Sequence, residues 1–192
     1  MKGEIGIQLL IYVEGIIDQL FMEKIILPEI KTKTTVIPLK PNSKSGKTAP
    51  QKIKSALNSK RKGFIDLIVL IDSDANNYGG WNKNTKKQRI DQFSKEMGIK
   101  PNQIQKSIAF AVIEIESWYL AGLDMNARKK LKFKKSKGLT TDNLSKQDFY
   151  NLCHKEPDIA FYSEIIEHYK IQEARKNNVS FDQFMNQIKH HL

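Results

Sequence analysis

Residues 64–74 read FIDLIVLIDSD, an apolar run that ends abruptly in two acids two residues apart. A run of this length bounded by Gly63 and a polar loop reads as a strand buried on both faces, the kind found in parallel sheets. Upstream, residues 5–13 (IGIQLLIYV) read as a first strand closed by Glu14 and Gly15, and residues 16–30 as a helix ended near Pro28. Residues 34–40 give a second, shorter strand, and 51–62 a helix opened by Pro50. Downstream come a loop (72–85), a helix (86–98), a fourth strand (107–115) and a helix from Glu116 into the basic segment. Strand and helix signals therefore alternate, which predicts an α/β fold: an open sheet of about four mainly parallel strands flanked by helices, with a helical C-terminal extension ending in residues 180–192. The expected organisation is a catalytic domain over 1–125, with 126–192 as a basic segment and helical extension packed on it.

Composition narrows the function classes. The 192 residues carry a formal charge of +11, unevenly placed: residues 31–62 hold ten Lys/Arg and no acid, and seven of the ten residues 128–137 (RKKLKFKKSK) are basic. Two such segments predict a polyanionic partner, because cations that neutralise phosphates release counterions. The single cysteine, Cys153, excludes an internal disulfide framework and a Cys-rich zinc site, in keeping with a cytoplasmic protein. No apolar run approaches the roughly 20 residues of a membrane helix, and the apolar N-terminal stretch reads as a strand, not a leader, so a soluble protein without membrane partners is expected.

Residues 41–50 (PNSKSGKTAP) contain SGKT, the tail of a phosphate-binding P-loop. Pro41 stands where the first glycine belongs, and proline has neither the amide nor the torsional freedom that position needs. The segment reads instead as a substrate loop whose Lys40, Lys44 and Lys47 hold nucleic-acid phosphate. Lys129, Lys130, Lys132, Lys134 and Lys135 form the second set of expected phosphate contacts. In NNYGGW, packing of Tyr78 and Trp81 against the domain is favoured over base stacking. His154, His168, His190 and His191 lack metal-ligand spacing and read as surface residues.

Three strands end in acids: Glu14 after the first, Asp72 and Asp74 after the third, Glu114 and Glu116 after the fourth. In a parallel sheet those ends share one edge, the edge where α/β proteins bind ligands. Carboxylates brought together there repel unless they share protons or bind hard cations such as Mg²⁺ or Mn²⁺, as one or two ions. The ordered set VEGIID, LIDSDANN and IEIESWYLAG resembles the Toprim domain, and more narrowly the small Toprim proteins related to the overcoming-lysogenisation-defect family nucleases, with a fainter echo at NNVSFDQF. The resemblance spans residues 7–122. It implies a Mg²⁺-dependent nuclease that hydrolyses phosphodiester bonds in DNA or RNA, acting in phage defence with a separately encoded ATPase and open to homo-oligomerisation. Within that resemblance Glu14, Asp72, Asp74 and Glu116 are catalytic and metal-binding. Glu114 competes with Glu116 for the last place, and the E-x-W match favours Glu116. Asp18 matches the acid closing the first motif, and Ile17 departs from the usual Ser or Thr. The alternatives are a Toprim-type ribosomal RNA maturase, a receiver-like signalling domain with Asp72 as phosphate acceptor, and a nucleic-acid-binding module without catalysis.

Overall fold

The computed structural model describes residues 8–39, 49–73, 80, 82–134 and 141–192. Four strands, β1 (Gln8–Val13), β2 (Thr34–Pro38), β3 (Ile65–Asp72) and β4 (Ile108–Ala111), form an all-parallel sheet in the order β2-β1-β3-β4. The expected α/β architecture is thus observed. β1 pairs with β2 on one side (Ile11 opposite Val36) and with β3 on the other (Ile11 opposite Ile68). The chain leaves β1 first in one direction and later in the other, so the strand order reverses between β1 and β3. In open parallel sheets that reversal opens a crevice beyond the strands' C-terminal ends.

By contact density the chain divides into two compact units: residues 1–71, 82–109 and 190–192 in the first, and 72–81 with 110–189 in the second. In the first, Leu9, Ile11 and Val13 of β1 are fully inaccessible to water, and Leu67 to Ile71 of β3 are all buried, as expected of a strand covered on both faces. α1 (Ile16–Phe21) passes into a π-helical turn, Met22–Ile26, and a 3-10 turn, Leu27–Glu29, where Pro28 ends the predicted helix. α2 (Ala49–Arg61) and α3 (Lys83–Met97) follow. α3 begins at Asn82, whose Oδ1 accepts the amides of Asn84 and Thr85 at 2.8 and 3.1 Å, and it ends at Gly98 with φ 59°. A left-handed terminus of that kind favours glycine. The short α4 (Pro101–Ile104) leads towards β4.

The second unit is helical: α5 (Glu116–Ala121), α6 (Met125–Lys130), α7 (Lys146–Leu152), α8 (Ile159–Ile166), α9 (Ile171–Asn177) and α10 (Val179–Gln187). The single helix expected from Glu116 onward breaks in two, because Asp124 caps α6 through the Ala127 amide (2.8 Å). Arg128 then turns back, donating to the carbonyls of Leu120 and Leu123 at 3.0 Å each. Its guanidinium therefore terminates α5, leaving the basic segment one cation fewer for an outside partner. Gly122 lies against the Tyr169 ring so closely that a β-carbon would collide with it. The Tyr169 hydroxyl donates to the Trp118 carbonyl at 3.1 Å. Trp118 itself packs edge-on against Phe181, ring centroids 5.3 Å apart. Among the described residues, no helix is long and apolar enough to cross a membrane.

The largest departure from the sequence reading is at the fourth strand, expected over 107–115. β4 stops at Ala111, and Glu114 lies outside it. Side chains take over the backbone there: the Val112 amide donates to Ser180 Oγ at 3.3 Å and the Ile113 amide to Ser73 Oγ at 2.8 Å. Ile113 is turned into the left-handed region, φ 69°, a conformation that costs a β-branched residue about 1–3 kcal/mol and persists only where its surroundings enforce it.

Candidate functional site

Asp72 is the last residue of β3 and is half-buried; Ser73, next in the D-S-D triplet, is completely buried. Ser73 joins β3 to the end of β4 through two bonds, its amide donating to the Ala111 carbonyl (2.9 Å) and its hydroxyl accepting the Ile113 amide. The segment carrying Glu114 is thereby fastened to the residue directly after Asp72. Glu114 is half-buried, and its carbonyl accepts the Ser117 amide (3.1 Å), opening the turn that becomes α5. Asp74 lies outside the described residues, as do Tyr78, Trp81, Lys40, Lys44, Lys47 and Lys135.

Glu116 is held by residues of α7 and α8. It is 2% exposed, accepts a hydrogen bond from the Tyr162 hydroxyl at 3.1 Å, and pairs with Lys146 at 3.5 Å. Burial pulls the Lys146 pKa down, but the charges of Glu116, Tyr150 and Glu114 outweigh it and hold the ammonium above its ordinary value. The Tyr162 phenol is raised by burial and then by the Glu116 charge, so it stays a donor. Asp72, Glu114 and Glu116 do not form a trio with ligand atoms within 4.8 Å of one another, in keeping with the turn of Glu116 towards Tyr162.

The echo near the C-terminus acquires a physical role. Ser180 Oγ accepts both the Val112 amide and the Trp118 indole N–H (2.8 Å) and donates to Asn178 Oδ1 (2.8 Å). Asn178 in turn caps α10 through the Phe181 amide (2.9 Å) and reaches Ser117 Oγ at 3.4 Å. The N-x-S of residues 178–180 thus holds the E-S-W of residues 116–118 and the bend before it.

In the first unit, Glu14 directly follows β1 and is half-buried. Its carboxylate accepts from Arg89 of α3 at 3.2 Å, and the Arg89 side chain is 7% exposed. In the sequence Arg89 stands in KKQR as one more cation of a solvated helix. Its one distinguishing signal is position: Ile90 and Phe93 mark the buried face of α3, and Arg89 adjoins it. Asp18 serves the backbone, its Oδ2 accepting the Gly15 amide at 2.6 Å. Lys129, Lys130, Lys132 and Lys134 are all exposed.

A second cluster of ionisable groups is hidden in the sequence, because Asp66 is embedded in the apolar run of β3. Its Oδ1 accepts from Lys60 Nζ (2.6 Å) and the Leu67 amide (2.8 Å), while its Oδ2 lies 3.1 Å from Nε2 of both His190 and His191. Burial alone would raise the Asp66 pKa, but hydrogen bonds from Lys60, His191, the Leu67 amide and His190 hold it well below the ordinary carboxylate range. The expectation that all four histidines sit on the surface fails for His191, which is 5% exposed. Its carbonyl accepts the Lys31 amide at 2.8 Å.

Compared with known proteins, the chain matches no family model, no curated protein and no solved structure.

Proposed function

We propose that the protein is a Mg²⁺-dependent phosphodiesterase acting on DNA or RNA, with Asp72, Asp74 and Glu114 as metal-facing carboxylates and water as the attacking group. The observation that carries the reading is the Ser73 bridge: one buried hydroxyl fastens the strained bend before Glu114 to the residue between Asp72 and Asp74. Strain of this kind, held by long-range bonds, is characteristic of sites where a side chain must be aimed. The donor set suits a hard cation, since all three are carboxylates and the two described ones, Asp72 and Glu114, are half-buried. A bound Mg²⁺ would supply charge stabilisation for the attacking and leaving oxygens of the phosphodiester. Glu14 enters through the Toprim resemblance.

Arg89, beside Glu14, fixes that carboxylate and supplies a positive charge of the kind that holds phosphate. Glu116 becomes a positioning residue that ties the start of α5 to α8 through Tyr162, so metal contact passes to the glutamate two residues earlier. The exposed Lys129, Lys130, Lys132 and Lys134 support a nucleic-acid substrate. A separately encoded ATPase and a role in phage defence rest on the resemblance alone.

The test is cleavage of single- and double-stranded DNA and of RNA with Mg²⁺, Mn²⁺ or excess chelator. Wild-type protein is expected to cut at least one substrate only when metal is present. Asp72→Asn is expected to lower the rate at least about a hundredfold, as loss of a charged metal ligand does, with its thermal midpoint unchanged. Wild-type rates in that variant overturn the proposal. Binding without metal-dependent cleavage would instead assign a non-catalytic nucleic-acid-binding role.

A further inference from the structure

Asp66, His190 and His191 stand at the N-terminal end of β3, the opposite end from Asp72. Among the described residues they are the one group of three His, Cys, Asp or Glu side chains whose ligand atoms all lie within 4.8 Å of one another. Both imidazole Nε2 atoms are 3.1 Å from the same oxygen, Asp66 Oδ2. Bonds of about 2.0–2.2 Å in a tetrahedral zinc site separate neighbouring ligand atoms by about 3.3 Å. Both nitrogen–oxygen separations are therefore within a few tenths of an ångström of the spacing that a shared ion needs.

The atoms around the trio are disposed as metal sites require. A metal-bound histidine ordinarily engages its other ring nitrogen with an oxygen, which fixes the ring. His191 Nδ1 lies 3.1 Å from Thr32 Oγ1, and that hydroxyl can donate to a bare nitrogen or accept from a protonated one. Asp66 Oδ1 is held by Lys60 and the Leu67 amide, and Lys60 is itself anchored 3.0 Å from Ser107 Oγ. The Lys60 charge opposes a cation, yet it orients the carboxylate so that Oδ2 faces both rings. His190 is 59% exposed, which gives an ion a route in and leaves a coordination position for water.

From this geometry we infer a binding site for one borderline divalent ion of the zinc class, with ligands Asp66 Oδ2, His190 Nε2 and His191 Nε2. Two imidazoles and one carboxylate select Zn²⁺ or Co²⁺ over Mg²⁺, which prefers oxygen alone. The site is separate from the proposed catalytic carboxylates, and its occupant ties His190 and His191 to β3.

Titration of the full chain with Zn²⁺ by calorimetry, and with Co²⁺ by visible absorption, tests the inference. One equivalent is expected to bind, with the intense absorption of tetrahedral Co²⁺, undiminished by millimolar Mg²⁺ and unchanged in Asp72→Asn. His190→Ala, at an exposed position, is expected to weaken binding at least tenfold, as is Asp66→Asn. The double variant His154→Ala/His168→Ala is expected to bind as wild type. No stoichiometric uptake, wild-type affinity in His190→Ala or Asp66→Asn, or loss of binding in the His154/His168 variant overturns it.

Discussion

At the N-terminal end of β3, Asp66 gathers an ammonium, two imidazoles and a backbone amide around one carboxylate, whereas beyond the C-terminal end the hydroxyls of Ser73 and Ser180 take up the amides of Ile113 and Val112. One strand thus carries an acid at each end, and the two ends are organised by different chemistry. Around Asp66, charge answers charge. After Asp72, neutral hydroxyls, not charges, hold the bend of the backbone. Shape and charge are separated at one end and fused at the other.

The contrast breaks most visibly at the pair Glu114 and Glu116. Glu114→Gln is expected to lower cleavage at least about tenfold and to shift its Mg²⁺ dependence to higher concentration, as loss of a metal-facing charge does. Glu116→Gln is expected to leave the Mg²⁺ midpoint in place and to cost about 1–3 kcal/mol of stability, because it weakens a buried bond to Tyr162 and unpairs Lys146. A Mg²⁺ titration and urea unfolding of both variants decide the matter. A shifted midpoint in Glu116→Gln alone would return metal contact to the E-x-W glutamate.

Ser73→Ala probes the hydroxyls directly. It leaves the Ile113 amide buried without its acceptor, at about 1–3 kcal/mol, and frees the bend to relax from φ 69°. Cleavage is expected to fall although every carboxylate remains. Equal stability and activity in Ser73→Ala would show that the bend is held by something else.

The smallest effect is at the Asp66 end. A carboxyl whose folded pKa lies below its unfolded value of about 3.9 takes up fewer protons folded than unfolded, so its contribution is complete above that value and is lost as pH falls beneath it. Thermal midpoints measured from about pH 5 downward should therefore decline less steeply in Asp66→Asn than in wild type, each compared with its own value at pH 5. Parallel declines would contradict the depressed pKa.

The strands were legible because burial on two faces writes itself as a continuous apolar run, and the helices because caps such as Asn82 and stops such as Pro28 act within a few residues. The end of β4 was not. Val112 and Ile113 are as apolar as the strand before them, and what stops the ladder comes from Ser180 and Ser73, 68 and 40 residues away in sequence. Arg89 was hidden in the same way, its partner 75 positions distant. Asp66 and the histidines, separated by 124 and 125 positions, leave no local pattern at all. Local sequence reports propensity and burial; it is silent on side chains that bond across the fold.

Gly122 and Tyr169 carry a consequence for the protein's history. With the ring filling the space a β-carbon would need, neither position can change freely while the other stays as it is. A larger residue at 122 becomes tolerable only after the aromatic ring at 169 has shrunk, and loss of that ring forfeits the hydroxyl's bond to the Trp118 carbonyl. Descendants of this sequence are therefore expected to inherit the two positions as a linked pair, crossing between alternatives by way of a small residue at both.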